Sequence, residues 1–303
     1  MRPTRIRDKK MIKMTTEQSV IGFKLAGKGI VTVDWGDGSE KDMLTFTEGH
    51  NGFSHTYPNA PLRTITITGN SITGLICNNN QLTNLDVSKN TALTELNCRD
   101  NWLTALDVGK NTALTELDCS HNDLTSLDVS KNTVLTTLDC GYNYRLTRLI
   151  SLDVSKNTAL TTLDCSDNQL TNLDVSKNTV LTKLSCCGNR DWNEDCDCEC
   201  HWDRENECHC DCDNNPLTNQ LTSLDVSENT ALTVLDCYGN RLTDIALNRL
   251  FDTLPYKGGA IIIGENPGTD SCSASIARDK GWDVYNAYVD IFRFVDLGDG
   301  FYA

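Results

Sequence analysis

No stretch of eighteen apolar residues occurs in the 303-residue chain, so no segment reads as a membrane-spanning helix. Residues 1–10, MRPTRIRDKK, are basic, but no apolar h-region follows them and no signal peptide is visible. Positive charge is in deficit. The 27 Lys and Arg stand against 42 Asp and Glu, and the net charge of −15 opposes binding to nucleic acid or an anionic membrane through bulk electrostatics. Catalytic signatures are missing as well: no nucleophile elbow, no phosphate loop and no His/Glu metal-protease motif. His50, His55, His121, His201 and His209 are scattered or confined to one insertion. These absences argue against an enzyme.

What is present is repetition. Residues 102–122, WLTALDVGKNTALTELDCSHN, recur at 81–101, 123–143, 144–168, 169–189 and 220–240, the copy at 144–168 being four residues longer. A fixed period of this size signals a solenoid. Each copy has two halves, typified by Leu114-x-x-Leu117-x-Cys119-x-x-Asn122 and Leu124-x-x-Leu127-x-Val129-x-x-Asn132. In each half an apolar/polar/apolar triplet suits a short half-buried strand, stacked on the next at roughly 4.8 Å. Strands are therefore expected on both sides of a flat, nearly straight rod.

This pattern resembles the bacterial leucine-rich repeats of the nested, internalin-like class, over residues 62–240. The resemblance implies a mainly β solenoid with a small α/β C-terminal cap at 241–288 and a tail at 289–303. It also implies a surface or secreted protein that recognises a protein or glycan partner, in which case the leader is not part of this sequence. The alternative location is the cytoplasm. Residues 11–69 differ in composition and hold WGDGS at 35–39, His55-Thr56-Tyr57 and the strand-like 64–69. They resemble the polycystic-kidney-disease-type β-sandwich, whose turn residues serve folding. Strands are expected at 19–25, 29–34 and 63–68. After Asn240 the repeat dissolves into a helix around Leu247, Leu250, Phe251 and Leu254, a strand at 260–263, and a second helix at 270–280 with Asp270 as N-cap. Residues 1–10 read as a leader or tag remnant.

Columns of three residue types follow from the period. Asn80, Asn101, Asn122, Asn143, Asn168, Asn189 and Asn240 form one asparagine column, and Asn90, Asn111, Asn132, Asn157, Asn178 and Asn229 the other. Both suit backbone turns. Cys77, Cys98, Cys119, Cys140, Cys165, Cys186 and Cys237 fill a core column whose parallel side chains do not converge for disulfides. Asp86, Asp107, Asp128, Asp153, Asp174 and Asp225 are expected to face outward on one side, and Asp118, Asp139, Asp164 and Asp236 on the other. Like charges at about 5 Å repel by roughly 0.8 kcal/mol even in bulk water. Relief would come from Ser and Thr hydroxyls, from nearby Lys residues, or from bound calcium. Partner contacts are expected from Glu95, Arg99, Glu116, Asp118, Asp139, Asp164, Lys183, Asp236 and Tyr238.

An insertion at 190–219 leaves and rejoins the rod at one turn. It contains Cys196, Cys198, Cys200, His201, Cys208, His209, Cys210 and Cys212, and 190–213 carry −8 of the net charge. Folded as a hairpin it would pair Cys200 with Cys208, Cys198 with Cys210 and Cys196 with Cys212. The same thiols, with both histidines, would also suit zinc or a softer metal, although the spacing is not that of a zinc finger. Metal sequestration by this insertion is the alternative function, and a loop with free thiols is the third state.

Overall fold

The computed structural model describes residues 10–46, 49–59, 61–143, 148–188 and 219–287. The fold is mainly β, a leucine-rich-repeat solenoid. Its N-terminal end holds β1 (Met11–Thr16), β2 (Val20–Asp34), β3 (Asp42–Phe46), β4 (His50–Thr56) and β5 (Arg63–Ile76). Strand β2 pairs antiparallel with β3, β4 and β5, and β5 also pairs with β1. All belong to one hydrogen-bonded sheet that runs on into the solenoid. The expected strands at 19–25 and 29–34 are one strand with a register shift at Gly27, whose φ is 155°. The WGDGS and HTY residues brace this end. Trp35 stacks on His55 (4.8 Å), His55 meets Asp37 (2.8 Å), and the Tyr57 hydroxyl donates to Trp35 O (2.9 Å).

β5 is the hinge of the architecture. Its first half lies in the cap; its second half pairs parallel with the strand at Glu95–Asn97, aligning Leu75 with Leu96. The short strands then follow: β6 (Asn84–Asp86), β7 (Glu95–Asn97), β8 (Glu116–Asp118), β9 (Thr137–Asp139), β10 (Thr162–Asp164), β11 (Lys183–Ser185) and β12 (Val234–Asp236). Each puts its central Leu into the core, and in β7 to β12 a buried Cys follows that Leu two residues on. The copy at 102–122 alone buries Leu103, Leu106, Val108, Leu114, Leu117 and Cys119. Full burial of one such leucine is worth about 2–3 kcal/mol.

Among the described residues, strands occupy both sides only at the first rung, where β6 pairs with β1. Beyond it, the back side of the described rungs turns rather than extends. The Ser130 amide is taken by Asp128 Oδ1 (2.9 Å), and Asn132 N donates to Val129 O (2.9 Å). These local bonds remove the groups a second strand ladder would need. The two sides are therefore unequal, and the premise for a straight rod fails.

The two asparagine columns hold the corners. Asn122 Nδ2 donates to Cys98 O, Cys119 O and Ser120 O while its Oδ1 accepts Leu103 N (3.0 Å). On the back, Asn132 Nδ2 donates to Val108 O and Asn111 O of the preceding rung. The insertion boundary differs by one residue from expectation. Asn219, not Asn189, completes the fifth rung: its Oδ1 accepts Leu170 N (2.9 Å) and its Nδ2 donates to Cys165 O (2.9 Å). Asn189 lies outside the described residues.

The strand side does not dissolve after Asn240. Helix α1 (Asp244–Thr253), capped by Thr243, is followed by β13 (Gly259–Ile262), helix α2 (Ser275–Arg278) and β14 (Trp282–Tyr285). β13 and β14 extend the same parallel sheet, and Asn266 repeats the corner bonds to Cys237 O and Ile263 O (both 2.9 Å). The second helix is shorter than expected. Asp270 does not cap it, because the chain first makes turns at 268–272 and Ser273 N is held by Asn248 Oδ1 (2.7 Å). Among the described residues no helix is long and apolar enough to cross a membrane.

Candidate partner-binding face

Parallel sheets are ordinarily covered on both faces. Here the inner face packs on the core and the outer face carries side chains in three rows. In register, the first row is Glu95, Glu116, Thr137, Thr162, Lys183 and Val234; the second is Asn97, Asp118, Asp139, Asp164, Ser185 and Asp236. A third row, one alternation further on, holds Arg99, Ser120, Gly141, Ser166, Cys187 and Tyr238. All nine residues expected to contact a partner stand in these rows.

Their exposure is uneven. Glu95, Arg99, Glu116, Asp139, Asp164 and Lys183 are half-buried, whereas Asp118 (6%), Asp236 (1%) and Tyr238 (8%) are buried, against the expectation that they face outward. The aspartates fold down onto their own strand ends. Asp118 Oδ1 accepts the Ser120 hydroxyl (2.6 Å) and amide (3.1 Å), and Asp236 Oδ1 accepts Tyr238 N (3.0 Å). Tyr238 packs with Cys187, Val234 and Ile262.

Charge on the face is concentrated toward its N-terminal half. Burial, with Glu95 nearby, raises the Glu116 carboxyl. Burial raises Asp118. Burial together with Asp118 and Asp164 holds Asp139 well above the usual carboxylate range. Arg99 is the cation inside this field. Burial disfavours its charge, but Asp100, Asp118 and Asp139 outweigh that and raise it. It donates from Nε to Asp100 Oδ2 (3.0 Å) and lies 3.1 Å from His121 Nε2. His50, from β4, meets Glu95 at 3.0 Å and ties the cap to the first row.

A feature the repeat did not disclose borders the face. On the strand side the residue before the corner asparagine is left-handed at six rungs: Asn79, Asp100, His121, Tyr142, Asp167 and Gly239 have φ of 49–63°. Gly, Asn, Asp and to a degree His take this conformation readily, but the bulky Tyr does not. His121 and Tyr142 stack at 4.5 Å with an 11° tilt. The only sequence signal was their place one residue before the column.

The other aspartate column is different in kind. Asp86, Asp128, Asp153 and Asp174 each accept the amide of the serine two residues on, at 2.9–3.0 Å. The serine hydroxyl and amide hold Asp86 and Asp128 below the usual range, and the amide and then the hydroxyl do so for Asp153 and Asp174. Self-capping thus gives each of these carboxylates its own local donors. Among the described residues no group of three His, Cys, Asp or Glu is placed to hold a metal ion. Cys196, Cys198, Cys200, His201, Cys208, His209, Cys210 and Cys212, with the disulfide pairs and the zinc site read from them, lie outside the described residues.

The seven column cysteines are free and fully buried, one per rung. The functional domain of InlJ from Listeria monocytogenes, described as including a cysteine ladder, matches 68% of this chain at 40% identity with a TM-score of 0.51. The solenoid is internalin-like. The match spans 37% of that chain's own length. Internalin C2 from Listeria monocytogenes 4b F2365 is similar at 20% identity, TM-score 0.49, over 70% of this chain and 80% of its own. Internalin InlF from the same strain is similar at 19% identity, TM-score 0.45, over 70% and 59%. No protein-family model and no curated protein sequence matches the chain.

Proposed function

We propose that this internalin-like chain is a non-enzymatic scaffold at the bacterial cell surface, engaging a protein or glycan partner through the outer face of its parallel sheet. The observation that carries the reading is that face. Main-chain bonds run from β5 to β14, while the side chains of its three rows change from rung to rung on a backbone that does not. Such a surface varies its chemistry without varying its geometry, which suits recognition.

The test is binding of the full chain to a panel of purified cell-surface glycoproteins and their deglycosylated forms by interferometry. Thr137→Arg with Thr162→Arg, in the first row, is expected to lower binding at least about tenfold by obstructing close contact. Lys131→Glu with Lys156→Glu, on the back, is expected to change it less than about twofold. Binding indifferent to the first pair and lost with the second would move the site off this face. Retention by the deglycosylated forms identifies protein as the ligand.

A further inference from the structure

The outer face changes character toward its C-terminal end. Where the middle rungs carry Asp, Thr and Lys, the last ones carry Val234 and Tyr238 on the β12 rung, Ala260 and Ile262 on β13, and Tyr285 on β14, with Cys187 beside them in the third row. Cys187, Val234, Tyr238 and Ile262 form one apolar cluster, packed by Ala260 and Tyr285 and separate from the core on the inner side. Thr137 and Thr162, smaller than Val234 and in the same row, are half-buried, whereas Val234 is 5% exposed and Ile262 and Cys187 are 0% exposed. The tyrosine supplies part of the cover: a Cβ on Gly264 would meet Tyr238 Cε2 at 2.8 Å, so the ring lies across the β13 rung. That ring is itself only 8% exposed. Side chains of this size on the outside of a sheet are hidden only beneath a further layer, and parallel sheets ordinarily have one.

We infer that this layer is the chain's own C-terminal segment, residues 288–303, folded back over β12 and β13. These residues lie outside the described ones; their sequence and the point at which β14 delivers them both favour this seat. Among the described residues β14 is the last strand of the sheet and pairs only with β13. A Cβ on Gly264 would run into Asn286 O, so the chain leaves the sheet beside the cluster. From β14 to Cys187 on the β11 rung is three strand spacings, roughly 14 Å, which about five extended residues cross. Sixteen are available. Their composition suits an apolar seat: Ile291, Phe292, Phe294, Val295 and Leu297 fall within seven residues. The insertion also leaves the rod next to Cys187, but its residues 190–213 carry a charge of −8 and suit such a seat poorly. Covering the last rungs confines the partner face to the middle ones and removes Tyr238 from it. The cover holds or fails without regard to what the open rungs bind.

The test reads Cys187, in the outer cluster, against Cys186 and Cys237 in the core. The full chain, a chain ending at Ala287, and the full chain carrying Phe292→Asp with Phe294→Asp are treated with iodoacetamide at pH 8, and tandem mass spectrometry assigns each label. In the full chain all three thiols should stay unmodified. In both altered chains Cys187 should react at least roughly tenfold faster, while Cys186 and Cys237 stay closed and so report a folded solenoid. Deleting residues 190–218 should leave Cys187 protected. Protection of Cys187 in both altered chains, its reaction in the full chain, or its exposure on deleting 190–218 would overturn the inference. Loss of protection at all three thiols together in both altered chains would overturn it as well, because the segment would then hold the core rather than this cluster.

Discussion

Asp139 accepts a single hydrogen bond, from Gly141 N (3.1 Å), and is flanked in its own row by two more carboxylates. Burial, Asp118 and Asp164 all raise its pKa. In the unfolded chain the group titrates near 3.9. The folded state therefore holds the proton more tightly, and the resulting stability is present below about pH 4 and lost as pH rises through the raised folded value. Asp139→Asn, neutral throughout, should unfold at higher urea than the wild type at pH 7 and at a similar concentration near pH 4. Equal midpoints at both pH values would show that the charge costs the fold nothing. The back-side column works in the opposite sense. Asp86, Asp128, Asp153 and Asp174 are lowered, so what they contribute is lost as pH falls below about 4. Two columns with the same Leu-Asp spelling thus differ through burial: Asp118 is raised although Ser120 bonds it as Ser130 bonds Asp128.

At the scale of one rung, most of the strand side was legible in Leu-x-Cys-x-x-Asn, because each of those positions acts within its own rung or on the next. The back side was less so. Asp-x-Ser reads equally as strand alternation and as a capped turn, and only the Ser amide going to the Asp carboxylate decides it. The insertion edge was ambiguous because both Asn189 and Asn219 have the right chemistry; the bond from Leu170 N selects the second. β13 was seen as a strand but not as a rung, since isoleucines stand where Leu and Cys stood. The cysteine column was read as packing, and the geometry agrees. Thiols point at carbonyls of the next rung, as in Cys165 to Ser185 O and Cys186 to Asp236 O, both 3.4 Å. Burial pushes Cys77 up to about 12 and holds the others well above the ordinary thiol value. The thiolate is the reactive form. Iodoacetamide at pH 8, followed by peptide mapping, should leave these seven unmodified in the native protein and label them in urea. Native labelling of Cys119 or Cys140 at the rate of a free thiol would contradict a closed core.

On the scale of the whole molecule, a solenoid is limited by its ends, where unpaired edges invite association. The first rung shows how the cap substitutes for a preceding one. Besides its bonds to Cys77 O and Asn78 O, Asn80 Nδ2 donates to Gly22 O (2.7 Å) and its Oδ1 accepts Gly22 N (3.0 Å), partners from β2. β1 does more: it pairs antiparallel with β5 on one side and β6 on the other, so one strand spans the edges of both faces. Thr83 N donates to Thr15 O (2.9 Å), and Thr16 Oγ1 to Asn80 O (2.7 Å). The substitution is incomplete on the back. Asn90, fully buried, finds no partner for either side-chain polar atom, because the carbonyls that Asn111 takes from its predecessor have no counterpart before Asn90. An end that already carries one unsatisfied amide has little margin. Deleting residues 1–18 removes β1, withdraws Ile12 and Met14 from the core and bares the β5 and β6 edges together. The truncated chain is expected to self-associate with rising concentration in light scattering and to melt below the full chain. A truncated chain that stays monomeric and melts unchanged would mean that β2 and β5 close the solenoid without β1.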